Sequence, residues 1–124
     1  MPAPSQLAIA TQAVTRLLRE EISYEQELIQ QQGKVTTLEA EVQSGLPDED
    51  GNRAHMLKQL KQAVVETENV FPRIKERIGD ATTKLEEQIA LAESNGTPAE
   101  ELELARVALT KGQEAQNTVR NGIA

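Results

Sequence analysis

The sequence predicts an all-α fold: an elongated antiparallel three-helix bundle with coiled-coil-like packing. Three observations carry this expectation. Val14, Leu17, Tyr24, Leu28, Val35, Leu38 and Val42 fall into one seven-residue a/d register, and Leu57, Leu60, Val64, Phe71, Ile74, Ile78, Ala81 and Leu85 fall into another. A 3,4 spacing puts such side chains on one helical stripe, and each stripe needs a partner. Aromatic residues make up 2% of the 124-residue chain and Trp is absent, which suits a thin aliphatic seam better than a thick globular core. No segment shows the two-residue alternation of a half-buried strand.

The first helix is predicted from about Gln6 to about Gln43, with Ser5 as its N-cap. At 1.5 Å per residue it is roughly 57 Å long. Gly33 inside it costs about 1 kcal/mol relative to Ala and reads as a weak spot, because the heptads continue through Val35. Residues 44–52 (Ser-Gly-Leu-Pro-Asp-Glu-Asp-Gly-Asn) then stop one helix and start the next. A connection this short makes its helices antiparallel neighbours.

The second helix is predicted over about Arg53 to Ser94, kinked at Pro72. Proline has no N–H to offer the Glu68 carbonyl, yet Phe71, Ile74 and Ile78 stay in register across it. The alternative is a break at Phe71, since pre-proline residues avoid the α region. Asn95-Gly96 is a left-handed stop. Thr97-Pro98-Ala99-Glu100 reads as a capping box with proline at the first helical position. A third helix over about residues 98–115 turns Leu102, Ala105 and Leu109 inward, and Gly112 weakens its end. Pro2 and Pro4 mark a disordered lead, and residues 116–124, with Asn121-Gly122, are expected to fray. The whole, 1–124, reads as a single domain.

Net charge is −7, from 13 basic and 20 acidic residues. A phosphate backbone or an anionic bilayer is repelled by that field, so neither nucleic acid nor membrane is an expected partner. No apolar run approaches the ~18 residues of a membrane span, and no secretory signal is visible in Met1 to Ala10. The expectation is a cytoplasmic protein. Cysteine is absent, which removes disulfides, thiolate catalysis and thiolate metal sites.

Catalytic chemistry finds no candidate residues. His55 is the single histidine, so no nucleophile–base–orienter set can be assembled. Glu86-Glu87 and Glu100-Glu101 are read as solvated charge. Asp48-Glu49-Asp50-Gly51-Asn52 fails as a calcium loop: with Gly51 as its turn glycine, the first and last ligands would be Leu46 and Leu57. No phosphate-cradling glycine loop is present. An enzyme is not expected, and neither is a metal or cofactor.

Polar residues interrupt the stripes at Glu21, Gln31, Thr67 and Gln88. They either fix the pairing register or face a partner. Ile22 and Ile29 stand one heptad apart outside the a/d stripe, and Val65 holds the equivalent offset in the second helix. With Glu25 and Glu68 beside them, Ile22, Ile29 and Val65 make a candidate partner-binding strip. A bundle that buries its flanking positions is the competing explanation.

Residues from Leu7 to about Ala115 resemble the tubulin-binding cofactor A family. The likeness is carried by residues 13–21 (Ala-Val-Thr-Arg-Leu-Leu-Arg-Glu-Glu), by Tyr24-Glu25-Gln26-Glu27, and by Gln30-Gln31-Gln32 followed by Lys34 and Leu38. Pro72 matches a mid-helix proline of the family, and residues 103–109 (Glu-Leu-Ala-Arg-Val-Ala-Leu) resemble its third helix. The 44–52 loop and the Asn95-Gly96 turn are longer than in the animal members. The resemblance implies a three-helix bundle that captures β-tubulin before it joins α-tubulin, with other tubulin-folding cofactors as further partners and a cytoskeletal association. Tubulin is acidic too, so local complementarity would have to supply affinity. Periodicity alone fits equally a structural coiled-coil adaptor or scaffold module, and it leaves monomer and homodimer open. A spectrin-type repeat would favour a core tryptophan that is missing here.

Overall fold

A computed structural model describes residues 4–45, 47–48 and 51–118. The readings placed on Pro2, Leu46, Glu49, Asp50 and Asn121-Gly122 lie outside the described residues. The fold is all-helical, with no strand among the described residues. Its helices are α1 (Gln6–Gln43), α2 (Asn52–Glu68), α3 (Phe71–Ser94) and α4 (Ala99–Asn117).

The first helix has the span that its heptads predict. The Ser5 hydroxyl accepts a hydrogen bond from the Ala8 amide at 3.0 Å, which is N-cap geometry. At its other end the Ser44 amide still reaches the Ala40 carbonyl. The Asp48 carboxylate accepts from the Arg53 amide at 3.1 Å and so satisfies a free donor at the start of α2.

The predicted second helix is interrupted at Asn69–Val70, upstream of Pro72. The Val70 amide bonds the Thr67 carbonyl three residues back, a 3₁₀-type closure of α2. The next helix restarts at Phe71, which puts Pro72 in the first turn, where no backbone N–H is required. The chain thus avoids placing a proline in a helix interior by shifting the interruption two residues toward the N-terminus.

The turn into α4 has the predicted left-handed glycine, with Gly96 at φ 71°. The Thr97 amide reaches back to the Ala92 carbonyl, the long bond of a Schellman stop. The expected capping box is not formed. Pro98 occupies the cap position, with no side-chain cap bond, and α4 begins at Ala99. Helix α4 also runs past residue 115, to Asn117. Lys75 on α3 donates to the Ala115 carbonyl at 2.7 Å and to the Thr118 carbonyl, while residues 119–124, the rest of the tail expected to fray, lie outside the described residues.

The chain divides into two compact units. One comprises residues 1–20 and 72–124, and three helical segments meet in its core. Leu7, Ala10 and Val14 of α1 pack with Leu85, Ile89 and Ala92 of α3 and with Leu102, Ala105 and Ala108 of α4. Gly112 is buried here, because a β-carbon on it would stand 2.6 Å from Thr82 Oγ1 and 3.2 Å from Val14 Cγ1. It is a site of close helix approach and not simply a weak end. The other unit comprises residues 21–71 and holds two helices, the second half of α1 and α2. Its buried residues, among those described, are Glu21, Leu28, Leu38, Thr67 and Phe71.

Candidate functional site

The two units differ in how completely their stripes are covered. In the three-helix unit the α3 stripe residues Ile74, Ile78 and Leu85 are buried and Ala81 is half-buried, and Ile89, outside the predicted register, is buried as well. In the two-helix unit the α2 stripe residues Leu57, Leu60 and Val64 are only half-buried. A helix pair covers one side of each stripe and leaves the flanks open, whereas a third helix closes one flank. Side-chain burial of this kind contributes about 1.5–3 kcal/mol per large aliphatic residue, so the hairpin leaves apolar surface available to a partner.

All five residues of the sequence-derived strip lie in this hairpin unit. Ile22 and Ile29 are 53% and 68% exposed, and Val65 is 48% exposed. Glu25 and Glu68 are half-buried. Ile22, Glu25 and Ile29 share one face of α1 through their 3,4 spacing, and Val65 and Glu68 are neighbours on α2. Val65 lines a shallow groove of about 450 Å³ with Ala54, Leu57, Lys58, Lys61 and Gln62. None of the three α1 strip residues lines that groove. The structure therefore brings Val65 together with two lysines.

The seam polar residues separate into two sorts. Glu21 and Thr67 are buried, while Gln31 and Gln88 are half-buried. The Gln31 amide nitrogen reaches the Glu27 carboxylate at 3.5 Å, and its carbonyl oxygen is buried without a hydrogen-bond partner. Among the described residues, two solvent-accessible ion pairs tie the hairpin together, Lys61 with Glu39 at 3.3 Å and Arg53 with Glu41 at 3.8 Å. Exposed pairs of this kind contribute little to stability but orient the side chains.

A second groove, of about 870 Å³, runs between α1 and α2 of the hairpin. Gly33, Leu38, Met56 and Leu60 form its apolar part, with Gln30, Lys34, Thr37, Gln59 and Glu41 around them. A β-carbon on Gly33 would meet nothing within 4 Å. The missing side chain at this helix-interior position serves no packing within the described residues. Sequence reading passed over both grooves. The signal available for the first was local charge: residues 51–65 contain Arg53, Lys58 and Lys61 and no acidic residue, in a chain that is acidic overall.

His55 is exposed on α2, and among the described residues no cluster of His, Asp and Glu is placed to hold a metal ion. Glu86 accepts from the Gln113 side chain at 3.2 Å, and Glu101 accepts from the Ser5 hydroxyl at 2.6 Å, so neither carboxylate is simply solvated. No described helix is long and apolar enough to cross a membrane.

Fold and surface together define a class: a small all-helical protein with a closed three-helix core, a helical hairpin whose α2 stripe is only half-covered, and exposed aliphatic side chains on both units. The particular family follows from comparison. The family model for tubulin binding cofactor A matches residues 2–109, and the chain belongs to that family. It is 32% identical over 108 residues to a Mus musculus protein named tubulin-specific chaperone A, covering 87% of this chain and 91% of the mouse protein. No solved structure matches.

Proposed function

We propose that this protein is a tubulin-folding cofactor that binds β-tubulin and holds it before it pairs with α-tubulin. Family membership supports the tubulin-directed role. The observation that carries the site assignment is the uncovered hairpin of residues 21–71, in contrast to the closed three-helix core of the other unit. Capture is by contact alone. Ile22 and Ile29 on α1 and Val65 on α2 bury against the client, while Glu25 and Glu68 supply polar contacts at their edge. Apolar patches at the centre of such a contact carry the affinity, and the surrounding polar groups orient it. Other tubulin-folding cofactors receive the client from this protein.

Retention of purified α- and β-tubulin, each offered separately to the immobilised chain, tests the reading. Retention of β-tubulin and passage of α-tubulin is expected. Passage of both, or equal retention of both, overturns it. A scaffold role would instead appear as stable self-assembly in sedimentation with no tubulin-dependent change.

A further inference from the structure

We propose that the face of α2 formed by Leu57, Lys58, Lys61 and Val65 docks an acidic amphipathic helix of the client. This rests on the client-capture reading above and names the chemistry of the partner surface. Three observations lead to it.

The first is charge. The groove lined by Ala54, Leu57, Lys58, Lys61, Gln62 and Val65 has two lysines and no carboxylate in its lining. The chain carries −7 overall, so this cationic patch runs against the global field. Lys58 forms no ion pair among the described residues, whereas Lys61 is shared with Glu39 at 3.3 Å. A partner carrying carboxylates beside an apolar stripe satisfies Lys58 and takes part of the Lys61 charge. Such a contact is local and does not depend on long-range attraction between two acidic proteins.

The second is incomplete burial. Leu57 on this face is half-buried and Val65 is exposed, because the hairpin unit has two helices only. The third is dimension. From residue 54 to residue 65 the face is about 16 Å long, three helical turns, with apolar positions recurring at helical spacing. A helix of three to four turns has a matching length.

The test uses the full chain and two probes. One is a synthetic amphipathic helical peptide of about four turns, leucine on one face and glutamate elsewhere, with a lysine-for-glutamate counterpart. The other is β-tubulin. The glutamate peptide is expected to shift the amide resonances of residues 54–65 saturably, with affinity falling as salt rises. Lys58→Glu/Lys61→Glu is expected to weaken binding of both probes about tenfold or more, through like-charge repulsion. Lys58→Arg/Lys61→Arg retains it. Lys58→Glu alone gives a smaller loss and removes no ion pair, so it controls for damage to the hairpin. Equal binding of the lysine peptide, shifts mapping elsewhere, or a change in the self-association of the chain on Lys58→Glu/Lys61→Glu substitution overturns the proposal. So does undiminished β-tubulin retention by the charge-reversed chain, which leaves the client-capture reading standing. If the peptide binds residues 54–65 while wild-type chain passes β-tubulin, the α2 face stands and the client reading falls.

Discussion

Alanine stabilises the chain at Gly33 but not at Gly112, although both glycines lie inside helices. Helix propensity alone favours alanine by about 1 kcal/mol at either position. At Gly33 a new methyl group meets nothing within 4 Å, so that gain is realised in full. For a chain of this size it raises the thermal midpoint by about 3–5 °C. At Gly112 the same methyl lies 2.6 Å from Thr82 Oγ1 and 3.2 Å from Val14 Cγ1. Thr82 and Val14 are themselves buried, so α4 must shift or Thr82 must rotate. Overpacking of this kind costs about 1–3 kcal/mol, which cancels the propensity gain or leaves a net loss of up to about 2 kcal/mol. Thr82→Ala removes the obstructing hydroxyl, which has no hydrogen-bond partner, and leaves a Thr82 Cβ contact at an ordinary 3.6 Å. Gly112→Ala in the Thr82→Ala background therefore recovers stability, with a favourable coupling of about 1–2 kcal/mol. Thermal and urea unfolding followed by far-UV circular dichroism measure all four variants. If Gly112→Ala raises the midpoint as much as Gly33→Ala does, the close meeting of α1, α3 and α4 at Gly112 is wrong.

Other substitutions probe separate joints. Ser5→Ala removes the N-cap bond to Ala8 and the bond to Glu101, and is expected to cost about 1–2 kcal/mol in urea unfolding. Lys75→Met leaves the Ala115 and Thr118 carbonyls without their cation, so amide exchange over residues 113–118 should speed up while that of α1 stays unchanged. Ile22→Asp combined with Ile29→Asp should leave helicity and thermal midpoint within about 0.5 kcal/mol of wild type, because both side chains are exposed. The same double variant should weaken β-tubulin capture, and unchanged capture would remove the α1 strip from the site. Leu85→Ala, at a fully buried position shared by the core of the three-helix unit, should cost about 2–5 kcal/mol.

Local chemistry was legible at most helix ends, though not at Thr97, where Pro98 takes the cap position without a side-chain bond. The span of α1, the Ser5 cap and the Gly96 stop follow from spacing and residue type, and the structure has each of them, although Val42 at the end of the α1 stripe is exposed. Tertiary effects were not. Pro72 signals trouble for the backbone but not its solution, an interruption at Asn69–Val70 and a restart at the buried Phe71. Gly112 looks like a weak helix end until Thr82 and Val14 are known to stand against it. The final turn of α4 is bonded by Lys75, forty residues before Ala115, and spacing along the chain gives no sign of that contact. At the candidate site, Ile22 and Ile29 stand out because apolar residues off the stripe break the pattern. Lys58 and Lys61 look like ordinary solvated charge, and only the groove they share with Leu57 and Val65 makes them notable.

Hydroxyl-radical footprinting of the chain, alone and with β-tubulin bound, tests most directly whether the two-helix hairpin is the client surface. Ile22, Ile29, Met56 and Val65 on the hairpin and Leu91, Leu104 and Val107 on the three-helix unit are all exposed and serve as internal reporters. Protection of Ile22, Ile29 and Val65, with Leu91, Leu104 and Val107 still reactive, is the expected result. Protection confined to Leu91, Leu104 and Val107, with the hairpin residues as reactive as in the free chain, would contradict it.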